Sequence, residues 1–164
     1  MINRIAENAL KRLASQFPVV GITGPRQSGK STLAKMTFPN KQYLSFDDKT
    51  LREIASSNPK DFLLAFPDGA IIDEAQKVPE IFDAVKYYVD SEKSEPGKYI
   101  LTGSSQFKLK ENMSDSLAGR VAFLKLLPFT IEELKSNKIL AKNPYEAMVK
   151  GNYGAALGWM LAFV

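Results

Sequence analysis

The sequence predicts an α/β protein: a parallel sheet with helices packed on its faces. Short apolar runs alternate with helical segments five times along the chain, as βαβ units do when they wind a parallel sheet. A Gly-rich turn joins the first run directly to a helix, and two runs end in paired carboxylates, Asp47-Asp48 and Asp73-Glu74. A length of 164 residues suits one domain, since halving it would leave two poor cores.

The elements follow in order. Ile2, Ile5, Ala6, Ala9, Leu10 and Leu13 recur at helical spacing, with Arg4, Glu7, Asn8, Lys11 and Arg12 on the other face, so the chain opens on an amphipathic helix. Pro18 ends it, and residues 19–23 read as a buried strand. After the Gly-rich turn, residues 30–36 form a helix and residues 43–46 a second strand. Helical pieces are expected over 51–56 and 59–66, the second opened favourably by Pro59. Pro67-Asp68-Gly69 is turn chemistry. A third strand over 70–72 ends at Asp73. Helix 79–89 carries Ile81, Phe82, Val85 and Val89 on one face, and the polar stretch 91–97 breaks it. Strands at 98–102 and 121–127 complete the five. Thr130 and Glu133 then have the spacing of a capping box.

Composition excludes several function classes. With no Cys and no His, there is no disulfide framework, no thiolate or imidazole metal site and no His-based triad. Acid–base work must fall to Asp, Glu, Lys or Tyr. The net charge of +4 is mild and its Lys and Arg are scattered, so no nucleic-acid interface is supported. No apolar stretch is long enough for a membrane helix, and the N-terminus lacks a signal-peptide core; a soluble, cytoplasmic protein is expected.

The sharpest motif is GPRQSGKS at residues 24–31, followed by Thr32, which satisfies G-x-x-x-x-G-K-[ST] between a strand and a helix. Gly24 lets the chain turn off the strand, and Gly29 lets the backbone approach phosphates. Pro25, Arg26, Gln27 and Ser28 supply the loop between them, whose N–H groups and helix N-terminus form an anion cradle. Lys30 is expected on the β- and γ-phosphates and the Ser31 hydroxyl on Mg2+, which makes the ligand Mg-ATP. The guanine-specifying N-K-x-D pattern is absent, which favours ATP over GTP modestly.

The second motif is AIIDEAQ at 70–76. A strand-end Asp73 suits a magnesium ligand, and Glu74 beside it suits a general base toward the attacking water. The bland reading is a solvated acidic turn. Thr102, at the end of the fourth strand, would point at the γ-phosphate if that strand lies between the first and third; otherwise its hydroxyl satisfies a strand-end backbone group. Arg120, just before the last strand, suits an arginine finger on its own or another protomer's phosphates, or a surface ion pair.

Together GPRQSGKST, IIDEAQKVP, ILTGSSQF and SLAGRVAFLKLLPFTIEEL resemble a prokaryotic group of AAA-family ATPases, over roughly residues 2–150. Members have an AAA-like core followed by a second conserved domain of unknown function. The resemblance implies a three-layer ASCE-type P-loop fold with strand order 5-1-4-3-2. It implies that Gly24, Gly29, Lys30 and Ser31 are Walker A, that Asp73 and Glu74 are Walker B with its glutamate, and that Thr102 is sensor 1. Arg120 matches an Arg of the family pattern. The core is expected over 1–144, with 145–164 an apolar tail where the longer members continue; a truncated product is expected, the alternative being a short helix that docks on the core. AAA-type ATPases usually take a sensor-2 Arg and part of the nucleotide lid from that continuation, so binding with weak or no turnover is expected. The leading expectation is an ATPase core relaying conformational change to a partner domain, a partner protein or a second copy. The alternatives are a catalytically silent nucleotide-binding module and a small-molecule kinase, the latter disfavoured by Glu74.

Overall fold

Val19–Thr23 forms strand β1, buried at every position, as an uninterrupted apolar run covered on both faces should be. The computed structural model describes residues 4–91, 95–103 and 116–136, and β1 is the first of five strands within them. The others are β2 (Gln42–Ser45), β3 (Ala70–Asp73), β4 (Tyr99–Gly103) and β5 (Val121–Lys125). All pairings are parallel and the order is β2-β3-β4-β1-β5, as expected. Insertion of β4 between β1 and β3 brings the carboxyl ends of all three to one edge.

The helices are α1 (Ala6–Ala14), α2 (Lys30–Thr37), α3 (Lys49–Ser57), α4 (Pro59–Leu64), α5 (Glu80–Ser91) and α6 (Ile131–Ser136). Side chains alternate along each strand, so the sheet has two apolar faces and needs a helical layer on each. Val20, Ile22, Ile71 and Ile100 meet Leu10 of α1 and Leu33 and Ala34 of α2. Leu44, Ile72 and Leu101 point the other way, onto Ala55, Phe62, Ile81, Phe82 and Val85 of α3, α4 and α5. Full burial of each such Leu, Ile or Phe is worth about 1.5–3 kcal/mol.

Local sequence sets the boundaries. Asp48 is a helix cap rather than a strand end: its Oδ1 accepts from the N–H groups of Thr50 at 2.8 Å and Leu51 at 3.2 Å. Asn58 caps α4, with Pro59 at the first turn. The expected capping box forms: Thr130 Oγ1 accepts from Glu133 N at 3.1 Å, and Glu133 Oε2 accepts from Thr130 N at 2.9 Å. Gly69, at φ 77°, is required twice over, because a Cβ there would lie 1.8 Å from the Lys98 carbonyl oxygen.

Two expectations fail at the N-terminus. Helix α1 begins only at Ala6, so the helical periodicity does not extend to residues 4 and 5. Ile5 is 62% exposed and Arg4 is buried, the reverse of the amphipathic pattern. The expected boundary at residue 144 and the apolar tail lie outside the described residues. Among those described, no helix is long and apolar enough to cross a membrane.

Candidate nucleotide-binding site

The loop between β1 and α2 is shaped by three backbone features. Gly24 sits against the chain leaving β5, where a Cβ would come within 2.1 Å of the Leu126 carbonyl oxygen. The close approach of residue 126, more than the turn itself, demands glycine there. Gln27 at φ 60° and Gly29 at φ 87° are left-handed, and this bends the loop into the concavity from which successive N–H groups face an anion. Gly29 is also the N-cap of α2 and gives it no side-chain cap, leaving the first-turn N–H groups to the cavity.

Lys30 opens α2 and folds back over the loop, where its Nζ donates to the carbonyls of Pro25 at 2.8 Å and Gly24 at 3.1 Å. Burial pulls its ammonium below the ordinary lysine value, against the carboxylates of Glu74 and Asp73, which pull it up. One turn's side of the helix away, Ser31 Oγ donates to Asp73 Oδ2 at 2.8 Å. That contact joins the two motifs, 42 residues apart in sequence.

Asp73 is the hub of the site. Its Oδ2 also accepts from the Tyr43 hydroxyl at 2.6 Å, and its Oδ1 accepts from Thr102. Strand alternation explains the convergence: Asp73 and Thr102 follow Ile71 and Ile100 by two residues, so both side chains point toward the α2 layer. Burial, then the Asp73 carboxylate, pushes the Tyr43 phenol up to about 12, so it remains a donor at neutral pH. Thr102 does lie between the first and third strands, but it is fully buried and its hydroxyl sits on Asp73, not on the cavity wall. The hydroxyl expected at a γ-phosphate here holds the Asp73 carboxylate.

Glu74 stands in the left-handed region at φ 55° and starts a short 3-10 helix, Ala75–Lys77, that the sequence reading did not anticipate. Its Oε2 accepts from Gln76 Nε2 at 2.5 Å. A non-glycine residue in that region costs about 1–2 kcal/mol, a strain of the kind found at functional sites.

These groups line one polar cavity of about 610 Å³. Arg26, Gln27, Gly29, Lys30, Ser31 and Thr32 form one wall, and Asp47, Asp73 and Glu74 face them. Gly24, Pro25 and Ser28 stand behind that wall as its support. The volume suits a nucleotide-sized ligand. Its chemistry fits a phosphate chain on the loop side, where Lys30 lines the cavity and the first turn of α2 has no side-chain cap. On the other side, the carboxylate of Asp73 and the hydroxyl of Ser31 are the oxygen donors that Mg2+ prefers.

Arg120 is not brought to this cavity. Its carbonyl accepts from Val19 N, at the start of β1, whereas the loop leaves the end of that strand roughly 13 Å away at ~3.3 Å per residue. The exposed guanidinium donates to Asp90 Oδ1 at 2.5 Å and to the Ala118 carbonyl at 2.7 Å. A role on the phosphates of its own chain is thereby corrected to an ion pair at the opposite edge of the sheet.

The sequence reading passed over four residues at the site. Tyr43 holds Asp73. Asp47, paired with Lys77, lines the cavity. Gln76 holds Glu74, and among the described residues its buried Oε1 has no hydrogen-bond partner. Arg4 reaches the loop from the N-terminal segment. Only Asp47 left a signal, as an acid at a strand's carboxyl end.

A glycine-bounded loop between β1 and α2, with a strand-end carboxylate across an inserted strand, defines a P-loop protein with the ATPase fold. The chain belongs to the AAA domain family, whose model matches residues 16–135. It is 34% identical over 137 residues to the uncharacterized protein Rv2008c of Mycobacterium tuberculosis and, equally, to Mb2031c of Mycobacterium bovis. The match covers 82% of this chain, which spans about 30% of the length of those curated relatives. Among solved structures, the Walker-type ATPase PABY2304 of Pyrococcus abyssi shares the fold, with a TM-score of 0.59 at 19% identity over 92% of this chain and 63% of that one.

Proposed function

We propose that the chain binds Mg-ATP at residues 24–31 and forms the core of an ATP hydrolase whose turnover drives a conformational change in a partner domain or protein. The observation that carries this reading is the Ser31–Asp73 contact at 2.8 Å, on the wall of a cavity that also presents Lys30 and Glu74. Ser31 and Asp73 are the residues that would hold the magnesium, which supplies charge neutralisation on the phosphates. Lys30 leaves its loop carbonyls for phosphate oxygens. Tyr43 and Thr102 keep the Asp73 carboxylate in place. Glu74, steadied by Gln76, accepts the proton of the attacking water.

Nucleotide titration with and without Mg2+, followed by phosphate release, tests the proposal. Lys30→Ala is expected to abolish binding, and Glu74→Gln to retain binding while abolishing release. Binding indifferent to both Mg2+ and Lys30→Ala would refute the assignment of the site.

A second reading, binding without turnover, is favoured by the placement of Arg120. Among the described residues lining the cavity, Arg26 and Lys30 are the cations, so any transition-state role for Arg120 requires a second copy of the chain. Phosphate release that stays at background while binding is tight would select this reading. A kinase reading would instead need release or transfer that appears only with an acceptor.

A further inference from the structure

Arg4 lies outside the family match and ahead of α1, yet it is the most heavily engaged side chain behind the nucleotide loop. Its Nη1 donates to the Ser28 carbonyl at 2.8 Å, its Nη2 to the Leu127 carbonyl at 2.7 Å, and its Nε to Glu133 Oε1 at 3.0 Å. The guanidinium lies over the Phe129 ring, 4.2 Å from its centroid. Side-chain exposure is 7% for Arg4 and 3% for Glu133, so water does not compete for these contacts.

The Ser28 carbonyl and the Gly29 N–H belong to one peptide unit. No peptide bond among the described residues is cis, so the two point in opposite directions from the same plane. A carbonyl held on Arg4, behind the loop, turns the Gly29 N–H to the other side. Gly29 lines the cavity, and a Cβ on it would be 3.4 Å from Arg4 Nη1, so the guanidinium is packed directly against the back of this peptide.

We propose that Arg4 is a positioning residue for the phosphate cradle: by holding the Ser28 carbonyl it fixes the Gly29 N–H toward the ligand's phosphates. The inference rests on the nucleotide reading above and adds a determinant that the P-loop pattern does not contain. The fork geometry matters. A lysine offers one ammonium and cannot serve the Ser28 carbonyl, the Leu127 carbonyl and Glu133 from one rigid plane. Removing Arg4 alone would take the guanidinium from a buried carboxylate, so a variant that loses both charges separates folding from positioning.

The test compares wild type, Glu133→Gln, Arg4→Lys and the double variant Arg4→Ala/Glu133→Gln. ADP, pyrophosphate and adenosine are titrated into each by calorimetry in Mg2+, and the Gly29 amide resonance is read in each ligand-free protein. Glu133→Gln keeps the Ser28 contact and is expected to bind ADP and pyrophosphate close to wild type. Arg4→Lys and the double variant are expected to lose roughly tenfold or more in affinity for both, as for a lost hydrogen bond to a charged group, with adenosine binding unmoved. Their Gly29 amide resonance is expected to shift well beyond that of Glu133→Gln, which also loses a charge but keeps the Ser28 contact. Wild-type ADP affinity in the folded double variant, or an equal loss for ADP and adenosine, overturns the proposal while leaving the nucleotide reading intact. A wild type that binds neither ADP nor pyrophosphate overturns the nucleotide reading and this inference with it.

Discussion

Replacing Glu74 by Gly and, separately, by Ala measures the strain at the proposed general base. Glu74 adopts φ 55° and ψ 39°, where an L side chain crowds its own carbonyl at a cost of about 1–2 kcal/mol and glycine does not. Both variants delete the carboxylate and the contact from Gln76, so those losses cancel in the comparison. At an ordinary helix or strand position Ala is the more stable of the two by about 0.5–1 kcal/mol. Here the order should reverse. With the αL cost set against glycine's larger unfolded-state entropy, the Gly variant is expected to be more stable by about 1 kcal/mol. Urea denaturation of the nucleotide-free protein reads this as a higher midpoint at unchanged m, and heating reads it as about 2–4 °C in Tm. An Ala variant as stable as the Gly variant, or more so, would refute the claim that the carboxylate is held at the expense of backbone strain. Neither variant should release phosphate.

Thr102→Val removes the hydroxyl that donates to Asp73 from a fully buried position; it is expected to cost about 1.5–3 kcal/mol in denaturation and to weaken Mg2+-dependent binding, and an unchanged urea midpoint would contradict the contact. Burial raises the Glu133 carboxyl, but the N–H groups of Thr130 and Ile5 and then Arg4 outweigh it and hold the group below its ordinary value. The stability this contributes is present above the unfolded-state value and is lost as pH falls through the lower folded-state value, so Glu133→Gln should flatten the acid limb of a stability–pH profile. Arg120→Ala should leave the ADP affinity of the isolated chain unchanged, measured by calorimetry, because the side chain is paired with Asp90 at the other edge of the sheet.

The parts of the site carried by consecutive residues were legible in the sequence. Residues 24–32 build one wall and its backing as a single loop and helix turn, and Asp73 with Glu74 ends an apolar run whose register leaves little choice of direction. Tyr43 and Arg4 were not legible, because tertiary placement rather than local spacing delivers them. Tyr43 reads as an ordinary strand aromatic until β2 is known to lie beside β3. Arg4 reads as a polar face residue until α1 is known to start after it. Of the readings open for Arg120, position alone favours the ion pair over a finger on its own chain's phosphates. In an all-parallel sheet a residue just before a strand sits at the amino edge, opposite the loops that follow the strands, and Arg120 immediately precedes β5.

The interior position of β1, between β4 and β5, bears on how the chain must be made. Its partners β4 and β5 begin about 80 and 100 residues later, so β1 leaves the ribosome long before either neighbour exists. At ~5–20 residues per second, five consecutive core residues wait several seconds for the strands that will cover their edges. β2 and β3 meet across a much shorter span and can pair in that interval. During synthesis a segment destined for the interior of the sheet is therefore left open to a foreign edge, and a holdase chaperone that binds short apolar runs would find a site at residues 19–23.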